Sequence, residues 1–322
     1  MMSAYEDRLD PEVAMALQPM PPVFSPDTDL LEIRRAVEQL FAAHAEQLPP
    51  PNPAVIREDC SVPGSDDNPA VPVRIYQAAH RTSRAAPVLL WIHGGGFFLG
   101  RGVDDETFCE QVVLETGAMV VSVDYRLAPE HPFPAALEDC YAVLRWLNTA
   151  GDVYPVDPTR IAVGGVSAGG NLAAALALLA RDRGGPALCY QFLLIPVLDD
   201  RHETPSSYEV TDARVWNRGV SLRAWAAYLA NLTGEVPPYA APARAADLSR
   251  LPPAYVYVEA QDLLRDEDII YAARLMQAGV VTELHVYPGT FHGSYAFAPQ
   301  AAVSQRAAHE HLTMLRRALS VN

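Results

Sequence analysis

Arg160-Ile161-Ala162-Val163-Gly164-Gly165-Val166-Ser167-Ala168-Gly169-Gly170-Asn171-Leu172 is the stretch on which the fold turns. Residues 160–166 form a short β-branched and apolar run, which predicts a strand; from 168 to 181 apolar residues recur at three and four, which predicts a helix. Between the two stands Gly165-Val166-Ser167-Ala168-Gly169, and the strand-turn-helix context is what makes this five-residue pattern informative. A serine on so sharp a turn takes strained dihedrals, while small flanking residues let neighbouring backbone approach and the hydroxyl stands at the helix's positive end. Read alone, the same letters also describe a glycine-rich turn whose serine merely caps the helix. The rest of the chain has to decide between a nucleophile and a cap.

Outward from this unit the pattern repeats. Strands are predicted at 87–93, 119–125, 190–197, 254–259 and 283–287, and helices at 134–147, 267–278 and 300–319. Alternation of this kind is the signature of a mainly parallel sheet covered on both faces. Upstream, Pro19, Pro21, Pro22 and Pro26 break the chain, and residues 30–48 then read as an amphipathic helix with Leu30, Ile33, Val37, Leu40 and Phe41 on one side, ended by Pro49, Pro50, Pro51 and Pro53. Residues 200–234 hold no convincing strand but contain Trp216, Trp225, Tyr228 and Leu229, which predicts helices inserted over the sheet's edge. Each amphipathic face needs cover, so this insertion and the N-terminal helix are expected to form a lid together. The expected organisation is an N-terminal cap segment over 1–50, a catalytic domain over 51–199 and 235–322, and a cap insertion over 200–234. There is no internal repeat and no low-complexity tract.

The nucleophile reading gains weight from His93-Gly94-Gly95-Gly96, which follows the apolar run 88–92 and so falls at the same sheet edge as Ser167. Acyl transfer builds negative charge on a carbonyl oxygen, and one preorganised N–H aimed at it is worth about 3 kcal/mol. The amides of Gly94 and Gly95, joined by that of Ala168, are the candidate donors, with His93 as a structural anchor of the loop. A phosphate-cradling loop would need a Lys or Thr after the glycines, and neither is there. A serine nucleophile needs a base, and the base a partner that fixes its tautomer. His292 follows the strand at 283–287 and the turn Pro288-Gly289-Thr290; Asp262 follows the strand at 254–259. Both emerge at carboxyl ends of parallel strands, where open α/β sheets hold their sites. Taken singly, His292 is an ordinary loop histidine and Asp262 a helix cap, and Asp266, Glu267 and Asp268 are a charge run suited to a helix start. The chain order Ser, Asp, His is what joins them.

Composition narrows the classes. A chain of 322 residues with 50% hydrophobic residues can bury one large core. A formal charge of −15 opposes sequence-independent attraction to nucleic acid or an anionic membrane surface. Cys60, Cys109, Cys140 and Cys189 stand singly, without zinc-site or disulfide-scaffold spacing, so reduced thiols in a cytoplasm are expected. Residues 1–9 carry Glu6 and Asp7 without the basic start and apolar run of a secretion signal, and the longest apolar stretch, 172–180, is too short for a membrane span, so a soluble, unexported protein is expected.

These motifs resemble those of the bacterial hormone-sensitive-lipase-like carboxylesterases, a branch of the α/β-hydrolases. The likeness runs from about residue 87 to His292, through His93-Gly94-Gly95-Gly96-Phe97, Asp124-Tyr125-Arg126-Leu127-Ala128-Pro129-Glu130, the turn continuing into Gly170-Asn171-Leu172, and Tyr287-Pro288-Gly289. The resemblance implies an α/β-hydrolase fold with an eight-stranded, mostly parallel sheet and a helical cap, a triad of Ser167, Asp262 and His292, and hydrolysis of small-molecule esters with short to medium acyl chains. No metal or organic cofactor is called for, because an acyl-enzyme is formed and released by the same base. Phe97, Phe98, Val166, Trp216 and Trp225 are candidate pocket walls, although plain core packing accounts for any of the aromatics singly. Val166 replaces the acidic residue or Thr usual before the nucleophile, and Asp262-Leu263-Leu264 replaces the usual Asp-Pro-Leu. Asp124 and Glu130 are expected to form supporting salt bridges near Arg126. Related enzymes often pair through their last strand and helix while many others stay monomers, so 283–287 and the C-terminal helix are the candidate homodimer contact. The same machinery also serves amides, carbamates, lactones or acyl transfer to an alcohol, and a non-catalytic ligand-binding protein on this fold is the alternative of another class.

Overall fold

A strand apolar on every residue has to be covered on both faces. The computed structural model, which describes residues 5–45, 50–65, 68–80, 85–150 and 153–319, places one such strand, residues 86–92, at the centre of a single sheet. Its eight strands among the described residues are β1 (Val55–Val62), β2 (Val71–Ala78), β3 (Ala86–Ile92), β4 (Met119–Val123), β5 (Val156–Val166), β6 (Tyr190–Leu194), β7 (Ala254–Glu259) and β8 (Thr282–Tyr287), in the order β1-β2-β4-β3-β5-β6-β7-β8. From β4 through β8 every pairing is parallel, while β1–β2 and β2–β4 are antiparallel. All residues of β4 and β7 are buried.

The six strands and the C-terminal helices read from the sequence are present, with ends shifted by a few residues. β1 and β2 escaped the reading because β1 carries Arg57, Glu58 and Asp59 at its middle. An antiparallel edge strand with one solvated side does not produce a continuous apolar run. The flanking helices are α1 (Pro11–Leu17), α2 (Leu30–Ala45), α3 (Glu106–Thr116), α4 (Ala135–Leu147), α5 (Ala168–Asp182), α6 (Arg218–Tyr228), α7 (Arg265–Gln277), α8 (Ser294–Phe297) and α9 (Ala302–Leu319). α1 was not anticipated. Its Pro11 stands in the first turn, where a missing N–H costs nothing, and the Asp10 side chain accepts from the Glu12 amide at 2.9 Å. The predicted helix over 30–48 is described to Ala45, and residues 46–49 lie outside the described residues. Leu30, Ile33 and Val37 are buried as its periodicity requires, but Leu40 faces outward.

α5 explains the apolar stretch at 172–180. Every residue from Ala168 to Ala180 is buried, so the helix is central, and its alanines and glycines permit close approach to the sheet. Between β6 and β7 the chain forms a short 3-10 turn (Pro205–Tyr208) and α6. This insertion meets the N-terminal segment: Asn217 donates to the Phe24 carbonyl at 2.8 Å, Arg223 to the Pro26 carbonyl at 2.7 Å, and the Phe24 and Trp216 rings meet edge to face at 5.8 Å.

Candidate active site

β5 ends at Val166 and α5 begins at Ala168, so Ser167 alone makes the turn, with φ 57° and ψ −117°. A non-glycine residue in that region is strained and persists only where its surroundings fix it. They do so here. The Ser167 amide donates to Leu194 O at 2.8 Å, and its carbonyl accepts from the amides of Asn171 at 3.0 Å and Val197 at 3.1 Å. A Cβ on Gly169 would lie 2.0 Å from Ile92 O, and one on Gly165 2.4 Å from the Gly169 carbonyl carbon, so the two flanking glycines are demanded by the crossing of strand and helix. Asn171, wholly buried, donates to Val197 O at 2.6 Å and Ala240 O at 3.1 Å and so fixes the start of α5.

The loops after β7 and β8 bring Asp262 and His292 to this serine. Ser167 Oγ lies 2.9 Å from His292 Nε2, and His292 Nδ1 lies 2.6 Å from Asp262 Oδ2. A carboxylate only accepts, so Nδ1 carries the proton and Nε2 offers its lone pair to the hydroxyl. Asp262 is 2% exposed, and its other oxygen accepts from the Leu264 amide at 3.1 Å. Leu263 and Leu264, both wholly buried, thus form the turn without the proline. Burial works against the imidazolium. The charge and hydrogen bond of Asp262, with the charge of Glu259 behind, outweigh it and hold the His292 pKa above its ordinary value.

The glycine loop lies alongside. A Cβ on Gly94 would be 3.0 Å from Val166 O and 3.5 Å from Ser167 Cβ. The amides of Gly94, Gly95 and Ala168 donate to no acceptor among the described residues. Because a peptide is planar and trans, fixing its carbonyl fixes its N–H in the opposite direction. All three peptides are fixed in this way. The His93 carbonyl accepts from the Tyr125 hydroxyl at 3.1 Å, the Gly94 carbonyl from His93 Nδ1 at 2.7 Å, and the Ser167 carbonyl from α5 and the loop after β6. His93 is buried and stacks on Tyr125 at 4.2 Å, and burial lowers its pKa, so the neutral ring donates through Nδ1.

The candidate wall residues divide. Trp216 stands beside the triad, its ring centroid 6.3 Å from that of His292, and stacks on Phe98 at 6.2 Å. Val166 touches the Gly94 position, its Cγ1 3.3 Å from a Cβ placed there. Phe97 stacks on Tyr228 at 4.0 Å and meets Trp225 at 5.2 Å, and all three are buried in one aromatic cluster.

Several partners differ from the sequence expectation. Arg126 pairs with Asp139 at 2.7 Å, not with Asp124 or Glu130; Asp124 accepts from the Gly102 amide at 3.0 Å. Glu130 belongs to Arg34 of α2, which bonds it at 2.7 and 2.8 Å and also donates to the carbonyls of Phe98 at 2.5 Å and Ala128 at 2.7 Å. The N-terminal helix is thereby tied to the end of the glycine loop. Glu267 and Asp268 do begin a helix, but both are buried, and Glu267 accepts from the Leu198 amide at 2.7 Å. Among the described residues one group could offer ligand atoms to a metal: Glu283, His285 and Glu310, with atoms within 4.8 Å of one another. It lies at the β8 edge, and none of the triad belongs to it. His285 already engages Glu283 at 3.0 Å and Arg317 approaches it at 3.4 Å. No helix among the described residues is long and apolar enough to cross a membrane.

A family profile of the alpha/beta hydrolase fold matches residues 89–296, more than half of the chain. The carboxylesterase NlhH of Mycobacterium tuberculosis is 37% identical over 315 residues, covering 97% of this chain and 96% of its own. An ethyl acetate hydrolase of Pseudomonas putida is 32% identical over 228 residues, covering 70% of this chain and 72% of its own. Among solved structures, a bacterial heroin esterase superposes with a TM-score of 0.92 at 45% identity, covering 98% of this chain and 99% of that one. The strand order, the strained serine turn and these matches agree, and the chain belongs to the α/β-hydrolase fold family, in its hormone-sensitive-lipase-like esterase branch.

Proposed function

We propose that the chain is a serine carboxylesterase that hydrolyses short- to medium-chain carboxylic esters through an acyl-enzyme on Ser167. The observation that carries this is the unbroken relay of 2.9 Å from Ser167 Oγ to His292 Nε2 and 2.6 Å from His292 Nδ1 to Asp262 Oδ2. In the first half-reaction Ser167 Oγ attacks the ester carbonyl while its proton passes to His292 Nε2. Asp262 holds the imidazolium, and the amides of Gly94, Gly95 and Ala168 receive the developing oxyanion. The alcohol leaves with the proton from His292. Water, deprotonated by the same nitrogen, then attacks the acyl-enzyme and releases the acid.

Residues 1–50 and 200–234 act in this proposal as a cap over the site. The contact between Trp216 and His292 and the joining of both segments at Phe24, Asn217 and Arg223 support that role. The nearness of Trp216 and Val166 to the reacting atoms, and the likeness to an ethyl acetate hydrolase, support a preference for short acyl groups. A homodimer joined at the sheet-edge strand β8 and α9, and a cytoplasmic location, complete the proposal.

The test is the variant Ser167→Ala with a short p-nitrophenyl ester. Turnover is expected to fall by about 10⁴-fold or more, with unchanged far-UV circular dichroism. A fluorophosphonate probe should label the wild type at Ser167 and leave the variant unlabelled. Undiminished hydrolysis by Ser167→Ala would refute the assignment.

A further inference from the structure

Glu259 closes β7 three residues before Asp262, with its side chain wholly buried. Its carboxylate takes three of its four hydrogen bonds from the residues that directly follow His292. Oε2 accepts from the Gly293 amide, and Oε1 from the Ser294 hydroxyl at 2.8 Å and the Tyr295 amide at 3.2 Å, with the Tyr257 hydroxyl also at 3.2 Å. The two loops are laced along their backbones as well: the Ala260 amide donates to Tyr287 O at 3.0 Å and the Gln261 amide to Thr290 O at 2.8 Å. His292 is therefore held twice, through its ring by Asp262 and through its backbone by Glu259.

We propose that Glu259 is a positioning residue for His292: it fixes the backbone that carries the imidazole and sets a second carboxylate behind the imidazolium formed during acyl transfer. This rests on His292 acting as the base. Two demands on His292 explain the arrangement. The ring must stay within reach of Ser167 through two half-reactions, and each anion near a buried imidazolium stabilises it further.

Electrostatics agree with the geometry. Burial and the charge of Asp262 push the Glu259 carboxyl up to about 7, against the opposing pull of His292 and of the bonds from Ser294 and Tyr295. The charge of Glu259 in turn acts on His292 and helps to raise the pKa of the imidazole, so the two groups form one electrostatic set across the laced loops. Tyr5 of the N-terminal segment, Tyr257 of β7 and Tyr295 of α8 face the set, and burial raises the pKa of each hydroxyl, so all three stay neutral. Asp105, pushed up to about 6 by burial, acts on Tyr295 from the start of α3.

The experiment compares wild type, Glu259→Gln, Glu259→Asp and Ser167→Ala by full pH profiles on a short p-nitrophenyl ester. Glutamine keeps the shape but offers one acceptor oxygen where the carboxylate offers two, and it carries no charge. For Glu259→Gln, kcat is expected to fall about tenfold to a hundredfold with KM within about twofold. The acidic limb of kcat/KM should move to lower pH by about half a unit, because an imidazolium that loses a nearby anion sheds its proton more easily. Glu259→Asp keeps the charge and loses reach to Gly293, Ser294 and Tyr295, so its limb should stay while kcat falls. A purely structural residue would lower thermal stability without moving the limb. If folded Glu259→Gln keeps kcat within about twofold and an unmoved limb, the proposal is overturned. If that variant fails to fold, Ser294→Ala decides: a severalfold loss of kcat at constant KM supports the assignment, and unchanged kinetics overturns it. An active Ser167→Ala would instead sink the underlying triad reading, a result separable from a silent Glu259→Gln.

Discussion

Replacing Gly95 by alanine tests the glycine loop at its least forgiving point. Gly95 has φ +120°, a conformation that L side chains rarely adopt, and an added Cβ would lie 2.0 Å from Leu99 O, 2.6 Å from Leu99 C and 2.8 Å from Leu99 Cδ1. An ordinary carbon-to-oxygen contact is about 3.3 Å, so backbone has to move by roughly 1 Å. Leu99 cannot withdraw freely, because its amide and that of Phe98 both donate to Gly95 O, at 3.0 and 3.1 Å. The displacement therefore falls on the Gly94–Gly95 peptide and turns the Gly95 N–H away from the oxyanion position. Loss of one such donor costs about 10²–10³ in kcat, or roughly 3–4 kcal/mol of transition-state stabilisation. Strain in the folded state adds about 1–3 kcal/mol and lowers the melting temperature by a few degrees. Steady-state kinetics on a p-nitrophenyl ester should show the loss in kcat with little change in KM. Gly117→Ala is the control: it too has positive φ, +70°, but closes α3 with nothing within 4 Å of the added Cβ, so it should cost stability and leave kinetics alone. A folded Gly95→Ala enzyme with kcat within about threefold of wild type would show that this amide is not an oxyanion donor.

Two further expectations concern the base and the N-terminal helix. His292 acts as a base only when neutral, and its pKa is raised, so activity should be full at alkaline pH and disappear as pH falls through a value above the ~6.5 of a free histidine; an acidic limb centred well below that value would contradict the Asp262 contact. Arg34→Met should lower the melting temperature and raise KM severalfold by freeing the Phe98 and Ala128 carbonyls from α2, whereas Glu130→Gln, which removes only an exposed ion pair worth about 0–1 kcal/mol, should be nearly silent. Equal losses in thermal scans of the two variants would place the anchoring in the ion pair.

Much of the molecule could be read from the chain because certain backbone geometries admit few residue types. A turn that forces φ 57° on Ser167 between crossing elements requires glycine at 165 and 169, and a loop with φ +120° at Gly95 requires glycine there, so these needs are written in the sequence at fixed spacing. Buried parallel strands such as β7 likewise declare themselves as short apolar runs. Pairing between distant charges leaves no such mark. Any of several carboxylates could have met Arg126, and only the packed structure gives it Asp139 and gives Glu130 to Arg34 of α2. Glu259 reads in the sequence as the last residue of a strand, and Glu267 and Asp268 as an acidic helix start. Burial gives the first its four donors near His292 and removes the other two from water, because a side chain's role depends on what the completed fold places against it.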